Sequence, residues 1–148
     1  MKLALLALAA GAGLGAASRV AAADDKADCT YLEIAAKSEK TAQIDAELKP
    51  LEKKLKKPPF TSWNAFRKLS GGDVTLQKLK AETLHLRQGG ASVLLRDRKD
   101  KHLELTIAVD GADGKRVIDT KLGLTIGEWL PLVNNDKDDG HILALMCK

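Results

Sequence analysis

Apolar and polar residues alternate along much of this chain, and the period changes to a helical one within an early segment. Thr30–Ala36 sets Leu32, Ile34 and Ala36 on one face and Tyr31, Glu33 and Ala35 on the other, predicting a strand with one buried side. Lys37–Thr41 is polar and reads as a loop. Over Asp45–Lys57 the leucines 48, 51 and 55 fall three and four apart, the stripe of an amphipathic helix. Asp45 is a candidate cap, and Pro50 suits a first turn starting near Lys49. Pro58-Pro59 stops the helix.

Phe60, Trp63, Phe66 and Leu69 recur every three residues, between the prolines and Ser70-Gly71-Gly72. That setting favours an extended or turned segment with Ala65–Leu69 as a strand and the aromatics as core anchors. From Val74 the pattern is short strands split by turn chemistry: Glu82–Arg87, a Gly89-Gly90 turn, Ala91–Arg98 and Leu103–Val109. Asp110-Gly111-Ala112-Asp113-Gly114 is hairpin chemistry, and Lys115–Leu124 returns. Thr125–Glu128 turns again, and Trp129–Val133 is a short strand that Pro131 confines near an edge. Asn134–Gly140 reads as a polar loop and His141–Cys147 as a closing apolar strand. The expected fold is mainly β: an antiparallel sandwich or partly open barrel of about seven short strands, with one amphipathic helix near the N-terminus.

The first residues add a compartment. Met1-Lys2, an uncharged Leu/Ala/Gly run over Leu3–Ala17, and Ala21-Ala22-Ala23 have the form of a signal peptide with an A-x-A cleavage site. The run is short of the roughly 20 residues that span a bilayer. The reading is therefore a leader over 1–23 and a single β-rich domain over 24–148, exported to the periplasm or beyond the cell, with no transmembrane anchor after cleavage.

Charge then changes the picture. The whole chain carries 24 Lys+Arg against 20 Asp+Glu, a formal +4. Removing Lys2 and Arg19 leaves 22 basic residues against 20 acidic ones, or +2. That is too little for a nucleic-acid footprint. The chain has two cysteines, Cys29 and Cys147, and an oxidising destination makes their pairing the default. The bridge spans 118 residues of sequence, for which chain entropy gives about 4–5 kcal/mol as an upper figure. It requires the first and last strands to be neighbours.

Candidate chemistry is sparse. His85, His102 and His141 fall on three separate predicted strands or strand starts, with no local metal spacing. Ser70 sits in Lys68-Leu69-Ser70-Gly71-Gly72, which lacks the first glycine of a nucleophile elbow. Asn134, Asp136 and Asp138 alternate as oxygen ligands would, but an EF-hand loop counted from Asn134 needs Gly sixth and Glu twelfth, where Asp139 and Leu145 stand. They are a weak calcium candidate against a solvated loop. No catalytic residue and no cofactor is nominated. Lys49, Lys53, Lys54, Lys56 and Lys57, with Arg67 and Lys68, form a candidate patch for an anionic partner, partly neutralised by Glu47 and Glu52.

The segment Leu48-x-x-Leu51 through Pro58-Pro59-Phe60-x-x-Trp63-x-x-Phe66-x-x-Leu69, followed by Asp113–Thr120, resembles a group of small exported bacterial proteins with no assigned activity. That resemblance implies no catalytic residues. Val117–Trp129 resembles a strand-turn-strand segment near the end of secretin channel proteins, without the double glycine that follows there. The expected function is an exported, non-enzymatic module that binds another envelope or secreted protein, with strand addition at Ala91–Arg98 favoured over the strand carrying Pro131. The alternatives are a small periplasmic hydrolase acting on envelope polymers and an anionic-surface binder.

Overall fold

The computed structural model describes residues 25–136 and 138–148, with Asp136 by its main chain alone. The expected leader over 1–23 lies outside the described residues. The strands are β1 (Lys26–Lys37), β2 (Gln43–Ile44), β3 (Ala65–Gln77), β4 (Ala81–Leu84), β5 (Gly90–Lys99), β6 (His102–Asp110), β7 (Arg116–Thr125), β8 (Leu130–Asp136) and β9 (Asp139–Cys147). Between β2 and β3 lie a 3-10 segment (Ala46–Leu51), a single α-turn α1 (Glu52–Leu55) and a 3-10 turn (Phe60–Ser62). The strands form two sheets, ordered β2-β3-β1-β9-β8 and β4-β5-β6-β7, that are not closed on one another.

The five-stranded sheet is the middle layer. One face of β1 sends Ala27, Cys29 and Tyr31 into a core shared with Val93, Leu95 and Leu105 of the four-stranded sheet. The other face sends Leu32, Ile34 and Ala36 under Leu48, Leu51, Leu55 and Trp63 of the helical segment. Both faces of β1 are therefore buried, where the alternation predicted one: Glu33 scored as polar, yet its face is covered too. The helical leucines are buried as the stripe predicts, each contributing roughly 1.5–3 kcal/mol. The helix itself is one α-turn preceded by 3-10 geometry, since Pro50 lies inside the segment and withholds a donor. Asp45 makes no side-chain cap bond; its carboxylate instead accepts the Lys68 main-chain N–H at 2.9 Å.

Among the described residues nine strands stand where about seven were expected. The expected break at Ser70-Gly71-Gly72 does not occur, because β3 runs through it to Gln77 with a bulge opposite Glu33/Ile34. The glycines serve close packing there: a Cβ on Gly72 would lie 3.2 Å from the Tyr31 ring, and one on Gly71 would lie 2.9 Å from the Tyr31 carbonyl. Asn134–Gly140 is likewise not an open loop, since β8 and β9 pair up to Asp136 and Asp139. The β2–β3 pair is parallel, which departs from an all-antiparallel sheet. Pro131 does lie on an edge strand, β8. Ala91–Arg98, expected as the edge open to strand addition, falls in β5 between β4 and β6. Residues 85–89 form a loop rather than the end of a strand, so His85 leaves the sheet.

Candidate functional site

The two ends of the sheet stack differ in how tightly they are tied. At one end β3 crosses to β4 and β7 crosses to β8. Cys29 and Cys147, direct partners in the β1–β9 ladder, are joined there by a disulfide with Cα atoms 4.0 Å apart. Main-chain bonds from Lys78 to Asp25, Gly127 to Cys147 and Lys148 to Asp28, each 2.8 Å, knit this end together. The pairing of first and last strands is the arrangement the cysteines call for.

At the opposite end the sheets separate around a cleft of about 570 Å³. It lies among the end of β1, the β6–β7 turn, the β8–β9 hairpin and the loop before β5; Ala35, Ala36, Gly111, Ala112 and Gly140 leave the room, and Gln88, Asp113, Asn134, Asn135, Asp139 and His141 supply polar groups. Lys37 and Asp139 stand 4.0 Å apart on its wall.

Beneath this cleft lies Glu33, a fully buried carboxylate at 0% exposure. Its Oε2 accepts the Ser70 hydroxyl and the Arg87 main-chain N–H at 2.6 Å. Its Oε1 accepts the Gln88 main-chain N–H at 2.8 Å and lies 2.9 Å from Nε2 of His141. A buried charge is costly unless hydrogen-bonded on its lone pairs, and four donors meet that need. Burial pushes the carboxyl upward, but the bonds from Ser70, the Arg87 N–H, His141 and the Gln88 N–H outweigh it and hold Glu33 below the usual carboxylate range. Glu33 is thus ionised and purely an acceptor, which assigns the proton to Nε2 of His141 and leaves Nδ1 as the ring's remaining nitrogen. The loop it grips is held a second time, by the Tyr31 hydroxyl donating to the His85 carbonyl at 3.2 Å.

This arrangement bears on chemistry. In an acyl-transfer relay the imidazole bridges nucleophile and acid. Here Ser70 and His141 reach different oxygens of one carboxylate, so the hydroxyl donates to Glu33 and not to the imidazole. The cluster fastens β1, β3, β9 and the 85–89 loop. Glu33 escaped the sequence reading because alternation assigned it to solvent. The signal was present, however: a lone carboxylate flanked by Tyr31, Leu32, Ile34, Ala35 and Ala36.

The three histidines do not converge. His85 is in the loop, His141 is at the cleft, and His102 opens β6 at the disulfide end, where its ring covers Gly123 so closely that a Cβ there would lie 2.7 Å away. Among the described residues no group of three or more His, Cys, Asp or Glu side chains is placed to hold a metal. Of the weak calcium set, Asn134 and Asp136 lie on β8, while the Asp138 carbonyl accepts the Trp63 indole N–H at 2.8 Å. In the basic set, Lys49, Lys53, Lys56 and Lys57 are exposed and Lys54 is half-buried. Lys56 pairs with Glu52 at 2.7 Å and Lys68 with Glu47 at 3.0 Å. Arg67 stands opposite Ala35 while Lys68 stands opposite Ile34, so the two point to different faces of the sheet and Arg67 does not join the helical lysines.

Comparison with known proteins returned no match to a family model, to a curated protein or to a solved structure. Among the described residues no helix is long and apolar enough to cross a membrane.

Proposed function

We propose that this is an exported, non-enzymatic binding module, a sandwich antiparallel but for β2 and open at one end, that receives a segment of another envelope or secreted protein in its end cleft. The observation that carries the reading is the wiring of Glu33. Four donors hold its carboxylate, and the loop bearing Gln88 is fastened by it from below. A wall built this way is preorganised, which lowers the ordering cost of binding. The amides of Gln88, Asn134 and Asn135 and the small residues between them suit a polar, extended peptide segment. The disulfide favours an oxidising compartment.

One observation favours a second reading, a small hydrolase. A carboxylate that fixes the tautomer of a cleft histidine is also how a general base is prepared. The two readings part on His141. Photo-crosslinking from Ala112 and Asn135 on the cleft wall, with Thr83 on the four-stranded sheet as control, tests the proposal in native envelope and medium fractions. One stoichiometric protein captured at the two cleft positions and not at Thr83, and still captured by His141→Gln, supports the binding module. Envelope-polymer cleavage by the parent protein that His141→Gln abolishes establishes the hydrolase instead.

A further inference from the structure

β7 forms one edge of the four-stranded sheet, and among the described residues no strand pairs with its outer side. Its ladder with β6 sets Ile118, Thr120 and Leu122 opposite Val109, Ile107 and Leu105, on the core side. Asp119 and Lys121 stand opposite Ala108 and Thr106, on the outer side. Ile118 and Leu122 pack against the core but remain only half-buried. A long, incompletely covered edge of this kind is a template for another strand.

The order of residues on β7 says which strand. In an antiparallel pair, residues directly opposite share a face, so a second strand must bring its core-side residues opposite Ile118, Thr120 and Leu122. Align two copies of β7 antiparallel about Thr120. Ile118 of each copy then faces Leu122 of the other, Thr120 faces Thr120, and Asp119 of each copy faces Lys121 of the other. The neighbouring registers that keep the faces matched centre on Asp119 or on Lys121, and each sets like charges directly opposite, which is destabilising. Only the Thr120-centred register turns both charges into cross-strand ion pairs while covering both apolar side chains. A lysine on an edge strand ordinarily deters pairing; here the same lysine finds a carboxylate in its own twin.

We propose that β7 is a self-recognition edge: two copies of this protein join through it about a two-fold axis into one continuous sheet. The interface is isologous, so the assembly closes at a dimer. Because the paired strands run antiparallel, the two end clefts face opposite ways, and the dimer is bivalent. This proposal stands on β7 alone and does not depend on what the cleft binds.

The test is sedimentation equilibrium of the oxidised protein over a concentration series. A reversible dimer is expected. Asp119→Lys and Lys121→Asp each place like charges across the axis and should weaken it about tenfold. Mixing the two single variants restores both opposite-charge pairs and should give heterodimers at parental affinity, as should the double variant with itself. Both side chains are on the outer face, and circular dichroism checks that the sheets persist. Independently, Thr120→Cys should give covalent dimers on mild oxidation while Thr125→Cys should not. A protein that stays monomeric at millimolar concentration overturns the proposal. So does a dimer indifferent to both charge reversals, or one that cross-links equally at both cysteine positions; each would mean the edge takes some other strand or none.

Discussion

Nε2 of His141 lies 2.9 Å from Oε1 of Glu33, although the two residues are not direct partners in the β1–β9 ladder. Glu33 faces Leu143 and His141 faces Ala35, so the contact runs along the diagonal of the sheet, a reach that long side chains manage across antiparallel strands. The diagonal sets the imidazole one step nearer the open end than the carboxylate. The charge is thereby sealed from solvent while the ring remains part of the cleft wall.

Acid should expose this anchor. Glu33 titrates below its ordinary value near 4.5 in the folded protein. The stability it contributes is therefore complete above that value and is lost as pH falls through the lower folded pKa. Urea unfolding of Glu33→Gln at neutral pH should show a loss of roughly 1–3 kcal/mol, since an amide turns a donor toward main-chain donors. The variant should also lose less stability than the parent on acidification. Parallel pH profiles for the two proteins would show that Glu33 is not the titrating anchor.

Breaking the Cys29–Cys147 bridge should cost about 2–5 kcal/mol, because it spans 118 residues and its removal frees the unfolded chain. Denaturant midpoints of the parent against Cys29→Ala combined with Cys147→Ala measure this. Both cysteines are buried, at 3% and 0% exposure, so thiol reagents should find none to titrate until the protein is reduced and unfolded.

Gly140→Ala tests the packing of the helical segment on the middle sheet. A Cβ there would lie 2.8 Å from the Trp63 ring, and overpacking of this kind costs about 1–3 kcal/mol. The near-ultraviolet dichroism of Trp63 should change with it, as the indole is displaced from its bond to the Asp138 carbonyl. An unchanged spectrum and midpoint would place the ring elsewhere.

Leu79 offers a gain. It holds φ 63° and is 73% exposed, a left-handed conformation that costs a branched apolar residue about 1–2 kcal/mol. Leu79→Asn keeps the main-chain bond to the Leu95 carbonyl and should stabilise the protein by roughly 0.5–1 kcal/mol. Thermal unfolding reads the shift, and a lower midpoint would mean that the leucine side chain contributes more than its exposure suggests.

Much of the fold was legible where local chemistry decides it. Asp110–Gly114 and Thr125–Glu128 carry their turns in their own residues, and Gly114 and Gly127 adopt the positive φ those turns need. The cysteines likewise foretold the neighbouring of β1 and β9. What could not be read was decided at long range. Gly71-Gly72 looks like a turn until Tyr31 is placed over it, and Glu33 looks solvent-facing until the second sheet covers its face. The cleft is less legible still, because its walls come from four separate stretches of chain. Of its polar residues only His141 and Asn134 had been singled out, and His141 as one of three unrelated histidines.

The position of β1 governs when this protein can finish folding. Its two neighbours are β3 and β9, so half of its ladder waits for residues 140–147, with Cys147 lying 118 residues beyond Cys29. Until they emerge, the central strand has one bare flank and Cys29 has no mate. Closing so distant a pairing is slow. A chain cut before β9 would lose the middle of its principal sheet rather than a dispensable tail.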